Sequence, residues 1–344
     1  MKLDNVAVVM LSTAGGAVWT LPVLNAIKRA HPGTKISWVI QPGASLLIEG
    51  HPAVDRIIPF DRGAGWGAYG KLRRAVAGES FDVVLVLQAY LKAAAVGALL
   101  PTGNRIAIDR QRARDFSWVI RANRIEPRPI GHMQDQYLEF LAPLGVSDQP
   151  VTYRLGPWEH EREWQQRFFE QFTRPAVPLV IGSTKDEKDW AAEHWADIVD
   201  ILWHDFALEP VLVGGRTPRE LNAEQLIVAR ARHKPRSALG SGLRRLLTIL
   251  DGSVLAISPD TGPLHMAVAI DRPVIGLYGY TNPKRTGPYR KFQDLLVDAF
   301  GDAGEEYSAA EPNRPGRMNL ITVGDVLDRI ERWRAVYASS APKR

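Results

Sequence analysis

The sequence predicts an α/β protein of two domains, each a parallel sheet covered by helices. Three observations predict it. Short apolar runs alternate along the chain with longer amphipathic or Ala-rich stretches. Small-residue or polar turns stand at the ends of those runs, where a parallel sheet hands over to its helices. The alternation lapses once, over residues 145–177, where Pro150, Gly156-Pro157 and Arg174-Pro175 surround one charged run over 159–172. That lapse reads as the interdomain connection with one helix, so the expected domains are 1–160 and 161–320, with a C-terminal helix and tail over 321–344.

Residues 6–11 form a short apolar strand, and 12–17 a loop of small residues. Thr20-Leu21-Pro22 leads into a helix through Ala30. The next strand is 35–40, ended by Gln41-Pro42-Gly43, and 44–49 is helical. Residues 53–59 hold a third strand or its approach, 83–87 a buried strand, 91–100 a helix and 105–108 a further strand. In the second half, 178–181 opens a new sheet, followed by the loop 182–190 and a helix over 191–204. Residues 210–213, Gly214-Gly215-Arg216 and a helix from Pro218 make the next unit. A helix over 240–250 and a final helix over 322–337 complete the pattern. The tail from Ser339 is polar and reads as mobile.

The second domain is organised around Ser258-Pro259-Asp260-Thr261-Gly262-Pro263-Leu264-His265. An apolar run over 254–257 precedes it, an Ala-containing helix follows, and a second apolar run over 274–278 comes next. That is a βαβ unit. Asp260 and Thr261 fall where a helix N-cap sits, and Pro263 suits the start of the helix. A helix N-terminus opened by such a turn attracts anions, since free N–H groups point outward. Local sequence fits this reading and also an ordinary helix cap with a packed histidine. The loop over 281–288 adds Lys284 and Arg285 at the end of the next strand. Open α/β sheets bind ligands at such strand ends.

Composition bounds the function. The 344 residues are 45% hydrophobic and 24% charged, which is globular composition with length for two domains. The absence of cysteine excludes disulfides and thiolate chemistry. The net charge of +5 fits an anionic substrate or membrane surface and is far from a nucleic-acid footprint. No apolar run approaches the roughly 20 residues of a membrane span. The run over 6–11 is too short for a signal peptide, so a cytoplasmic protein is expected.

Asp-Thr-Gly-Pro-Leu-His over 260–265, then Arg-Pro-Val-Ile-Gly-Leu-Tyr-Gly over 272–279, and Thr281-Asn282-Pro283 with Thr286-Gly287-Pro288, resemble the signature of glycosyltransferase family 9. These are ADP-heptose:lipopolysaccharide heptosyltransferases. The resemblance continues at Leu11–Gly16 with Thr20-Leu21-Pro22, at 51–56, at Leu87-Gln88-Ala89-Tyr90-Leu91-Lys92, at 108–110 and 112–114, and at His132 with 135–138. It implies the GT-B fold, two Rossmann-like αβα domains facing each other across a cleft, with the last helix packing back on the first domain. It implies an inverting transfer of heptose, or a related sugar, from an ADP-sugar to an anionic cell-envelope saccharide or glycolipid. It implies no metal or other cofactor, no nucleic-acid partner, and peripheral contact with the inner face of the cytoplasmic membrane.

Site residues follow from the same resemblance. Lys188 matches the family's diphosphate-binding lysine, Ser183 and Thr184 precede it, and Asp260 matches a donor-sugar contact. Thr261, Gly262 and His265 complete the donor site, with His265 expected to face the diphosphate; Lys188 and Asp260 are the expected catalytic pair. On the first domain, Gln88, Lys92 and Arg110 are expected to hold an anionic acceptor. One departure stands out. Where the family has a general-base aspartate the chain has Gly16, and a basic residue nearby is replaced by Met10. Asp109, Glu49, Asp61 and His132 are other acid–base groups of that domain, none at the expected spacing. A nucleotide-sugar-binding protein with lost or altered transfer, or a transferase with a different donor and acceptor, fits the same residues.

Overall fold

The computed structural model describes residues 2–338, so the expected tail from Ser339 lies outside the described residues. The chain divides into two compact units, Met1–Leu155 and Gly156–Arg344.

The first unit holds strands β1 (Asn5–Val9), β2 (Lys35–Ile40), β3 (Arg56–Pro59), β4 (Val83–Val86), β5 (Arg105–Ala107) and β6 (Asn123–Arg124). Its helices are α1 (Ala14–Ala30), α2 (Pro42–Ile48), α3 (Trp66–Ala75), α4 (Leu91–Ala98) and α5 (Met133–Leu138). The strands are parallel, in the order β3-β2-β1-β4-β5-β6. β1, β2 and β4 are almost wholly buried, which is why they read as continuous apolar runs. Ala7, Val9, Val39, Val84 and Val86 meet Leu72 and Val96 in one core cluster.

Two helices differ from expectation. α1 begins at Ala14, so Gly15, Gly16 and Ala17 form its first turn and not a loop. Glycine has poor intrinsic helicity, but this turn is buried against the sheet, and tertiary packing overrides propensity. α3 was not expected, because Gly65, Gly67 and Gly70 interrupt its pattern. Ala68 and Leu72, one turn apart, are its buried contacts with the core.

The second unit holds β7 (Ala176–Val180), β8 (Glu209–Val213), β9 (Arg236–Ser237), β10 (Ala256–Pro259), β11 (Val274–Tyr278) and β12 (Leu296–Asp298). Its helices are α6 (Glu159–Phe169), α7 (Ala192–His204), α8 (Pro218–Arg230), α9 (Leu243–Gly252), α10 (Gly262–Ala269), α11 (Pro283–Thr286) and α12 (Val323–Val336). The order β12-β11-β10-β7-β8-β9 repeats that of the first sheet, strand for strand. In both sheets the chain winds one way from the first strand, then returns to that strand's other side and winds the opposite way. The reversal opens a crevice at the C-terminal ends of β1 and β4 in the first sheet, and of β7 and β10 in the second.

α12 packs within the second unit, on α7, β11 and β12. Val326, Ile330 and Trp333 form its buried stripe, and the Trp333 indole N–H donates to Val254 O at 3.2 Å. That apolar face is satisfied where it sits. Among the described residues no helix is long and apolar enough to cross a membrane.

Candidate functional site

The crevice of the second sheet lies between the ends of β7 and β10. From β7 the chain enters a loop that closes in a short 3-10 turn, Asp186–Lys188. From β10 it passes through Asp260 into α10. Lys188 Nζ donates to both the Asp260 carboxylate Oδ2 and the Asp260 backbone O, each at 2.9 Å. One lysine thus ties the two loops together.

Asp260 is only 5% exposed and is the hub of the site. Its Oδ2 also accepts from Thr286 Oγ at 3.2 Å, and its Oδ1 lies 3.2 Å from His265 Nε2 and 3.4 Å from the Tyr278 hydroxyl. Burial alone would raise its pKa. The Lys188 ammonium and the His265 contact outweigh burial and hold the carboxyl well below the usual carboxylate range. Burial and the Asp260 charge push the Tyr278 phenol well above its ordinary range, so it stays a donor. It also donates to Thr286 O at 2.7 Å. The second polar loop therefore reaches the hub through Thr286, while Lys284 turns away to donate to Tyr307 O at 2.6 Å.

These contacts divide the expected donor residues. Lys188, Asp260, His265 and Thr261 are brought together. His265 is buried and turned to Asp260, so it braces the carboxylate and does not stand at the open edge. Thr261 is the N-cap of α10, but its hydroxyl lies 3.0 Å from Ser258 Oγ and makes no cap to the helix. The first N–H groups of α10, beginning with Gly262, are therefore not covered by a side-chain cap, which favours an anion there. Lys188 keeps a third N–H without a partner among the described residues. Ser183 is committed within its own loop: its Oγ is 2.8 Å from Asp189 Oδ1, bonds Lys185 O and accepts from Lys185 N at 3.2 Å. Thr184 is exposed beside it.

Sequence reasoning missed several residues that hold this loop. Arg219 donates to Ser183 O and pairs with Asp189 Oδ2, both at 2.6 Å. Burial pushes the Asp189 carboxyl up, against the pull of Ser183 and Arg219. Glu220 is buried, accepting from Gly215 N at 2.7 Å and Thr217 N at 3.0 Å. A Cβ on Gly182 would stand 2.3 Å from Glu220 Cγ, so glycine at the end of β7 gives this carboxylate its place. Thr217-Pro218-Arg219-Glu220 carries the capping-box spacing, a signal legible in the sequence. Tyr278 and Thr286 lie within the motif segments of the sequence, but only the fold brings them to Asp260.

The first sheet's crevice has a different chemistry. Leu11, after β1, donates its N–H to Gln88 Oε1 at 2.7 Å, and its carbonyl accepts from Gln41 Nε2 at 3.1 Å. Gln88 therefore latches the loop after β4 to the loop after β1. Lys92 is exposed at the start of α4, and the Arg110 guanidinium lies 4.5 Å from the Trp118 ring, beyond β5. Gln88, Lys92 and Arg110 thus follow two neighbouring strands. Gly16 sits in the first turn of α1, where an added Cβ would stand 2.4 Å from Ser12 Cβ and 2.5 Å from Ser12 Oγ. The space for a side chain at 16 is filled by Ser12. Three of the other acid–base groups have structural duties. Asp109 is buried against the Arg112 guanidinium, Asp61 Oδ1 accepts from Gly63 N at 2.8 Å, and His132 caps α5.

A family model described as glycosyltransferase family 9 (heptosyltransferase) matches residues 69–306. Over 317 residues the chain is 26% identical to the lipopolysaccharide core heptosyltransferase OpsX of Haemophilus influenzae, covering 92% of this chain and 90% of that one. A solved glycosyl transferase family 9 structure from Veillonella parvula aligns with a TM-score of 0.82 at 23% identity, covering 96% of this chain and 97% of that one. The Escherichia coli heptosyltransferase WaaC with ADP aligns at 0.75 and 23%, covering 95% and 99%. The fold is GT-B. With the family model spanning well over half of the sequence, the chain belongs to glycosyltransferase family 9, the heptosyltransferase family.

Proposed function

We propose that this protein is an inverting heptosyltransferase that moves heptose from an ADP-sugar to the lipopolysaccharide core, working at the cytoplasmic face of the inner membrane. OpsX and WaaC, whose names carry the core acceptor and ADP, support that choice of substrates. The observation that carries the donor half is Lys188, held by Asp260 at the crevice beside the α10 N-terminus. In the reaction an acceptor hydroxyl attacks the anomeric carbon from the face opposite the diphosphate. The carbon–oxygen bond to the β-phosphate breaks, ADP leaves with the electron pair, and the hydroxyl proton passes to water. Lys188 and the first N–H groups of α10 stabilise the charge that develops on that leaving group. Asp260 fixes Lys188, and His265, Tyr278 and Thr286 fix Asp260. Gln88, Lys92 and Arg110 serve the anionic acceptor.

A second reading, a nucleotide-sugar-binding protein with slow transfer, is favoured by one observation: Gly16, closed over by Ser12, offers no carboxylate for the acceptor proton. General-base catalysis contributes about 10²–10⁴-fold, so its loss slows turnover without abolishing it.

Calorimetry with ADP tests the donor half. A charge-assisted hydrogen bond contributes about 1.5–3 kcal/mol, so Lys188→Ala is expected to weaken ADP by roughly 10- to 100-fold. Unchanged affinity in a folded variant would remove Lys188 from the donor site. ADP release on addition of core acceptor, compared between donor sugars, then separates the transferase from the binding protein.

A further inference from the structure

Four of the large side chains exposed in the first unit, Tyr90, Phe116, Trp118 and Val119, lie at the C-terminal end of its sheet, after β4 and β5. Tyr90 stands at the start of α4, and Phe116, Trp118 and Val119 follow β5; Phe116 is 71% exposed. Phe116 and Trp118 lie with ring centroids 6.2 Å apart. Cations are interleaved with them. The Arg110 guanidinium lies 4.5 Å from the Trp118 ring, and that of Arg114 lies 5.9 Å from the Tyr90 ring. Lys92 and Arg121 are exposed on the segments after β4 and β5, where Asp115 is the one exposed carboxylate among the described residues.

This surface is built, not loose. Asp115 and Phe116 both adopt left-handed backbone, at φ 51° and 58°. That conformation is uncommon for a bulky residue and is held only when the surroundings over-determine it. The surroundings do so here. Arg114 N donates to Ala89 O at 2.8 Å and Ser117 Oγ donates to the same carbonyl at 2.5 Å. Arg124 donates beneath the loop to Trp118 O at 3.2 Å and Ile120 O at 2.9 Å. The backbone polar groups point inward and the aromatic rings outward.

We propose that this face docks the protein on an anionic bilayer surface, with Phe116, Trp118 and Val119 entering the headgroup–acyl boundary and Arg114 and Arg121 meeting lipid phosphates. Charge complementarity selects that occupant. Rings paired with guanidinium groups match a surface that is apolar below and negative above, and Tyr and Trp favour that level. The docking rests on the proposed function for its purpose, since it would bring the acceptor loops to a membrane-borne saccharide. Its test uses no sugar transfer, so either reading can fail alone.

Flotation with vesicles of phosphatidylethanolamine and phosphatidylglycerol, against vesicles of phosphatidylcholine alone, is that test. The wild type is expected to float with the anionic vesicles only, and to be released by salt. Phe116→Ser with Val119→Ser is expected to weaken binding at least about tenfold, and Arg114→Gln and Arg121→Gln about fivefold each. Urea unfolding midpoints near that of the wild type report that the variants fold, and ADP affinity, read by calorimetry, should stay unchanged in all of them. Failure of the wild type to float, equal binding to both vesicles, or full binding by the Phe116/Val119 variant overturns the proposal. So does lipid-free self-association abolished by Phe116→Ser, which would assign the face to a second copy of the chain.

Discussion

Adding a methyl group at Gly16 tests the most consequential contact of the first crevice. The new Cβ would stand 2.4 Å from Ser12 Cβ and 2.5 Å from Ser12 Oγ, with Met10 Sδ at 3.7 Å. No rotamer change moves a Cβ, so the backbone of residue 12 or the first turn of α1 must give. Overpacking of this kind costs about 1–3 kcal/mol. Alanine in a helix regains roughly 0.5–1 kcal/mol over glycine, so Gly16→Ala alone is not diagnostic. Ser12→Gly removes the opposing atoms. A four-member cycle by urea denaturation is therefore expected to show Ser12→Gly and Gly16→Ala favouring each other by about 1–3 kcal/mol. Coupling within about 0.5 kcal/mol of zero would refute the steric reasoning. The same cycle with Gly16→Asp carries the functional consequence. Transfer to the core acceptor should rise by up to about 10²–10⁴-fold in Ser12→Gly/Gly16→Asp, and by less in Gly16→Asp alone. A wild type already as fast as the double variant means that another group takes the proton.

Removing one partner of the Lys188–Asp260 pair strands a buried charge, so Lys188→Ala is expected to lose about 3–5 kcal/mol of stability at neutral pH. Lys188→Gln/Asp260→Asn should lose less, and equal losses in denaturant titration would count against the pairing. Glu305 gives a pH prediction: its hydrogen bonds from Arg314 and Asp302 N hold it at about 2, below the ordinary 4.5. A depressed folded pKa gives stability that is full above the ordinary value and lost as pH falls from about 4.5 to about 2. Acid unfolding of Glu305→Gln should lack that component, and a Glu305 carboxyl titrating near 4.5 by NMR would contradict it. Trp333→Ala should destabilise the second unit by about 3–5 kcal/mol, since it empties a buried site and strands Val254 O. A loss below about 1 kcal/mol would mean that α12 is not anchored there.

Much of this fold is written locally. β2 spans the predicted residues, because an apolar run between a lysine and Gln-Pro-Gly leaves little choice. α1 and α3 were harder, because glycines that break a local pattern are retained where a helix packs closely on a sheet or exposes one face. β10 runs from Ala256 to Pro259, later than the apolar run over 254–257. At the site, Lys188 and Asp260 could be picked out from motif residues. Their meeting across 72 positions could not, nor could the approach of Tyr278 and Thr286. Those contacts exist only once strand order places β7 beside β10. The placement of the His265 ring is of the same kind: whether a helical histidine meets a neighbouring carboxylate, as it meets Asp260 here, depends on the tilt of the helix, which residue spacing does not encode.

The repetition of one strand order in both sheets has an evolutionary consequence. Each sheet collects its own working loops, so the two recognition tasks are encoded in separate stretches of sequence that share no side chain. A change beside β1, such as the Ser12–Gly16 exchange, leaves the network around Asp260 intact. Selection on one half is then uncoupled from selection on the other. On the proposed assignment of acceptor to the first unit and donor to the second, a lineage can vary the surface that meets its own envelope chemistry while the other half stays under constant constraint. Divergence in such a chain should accumulate unevenly, concentrated in the crevice of the first unit and sparse in that of the second.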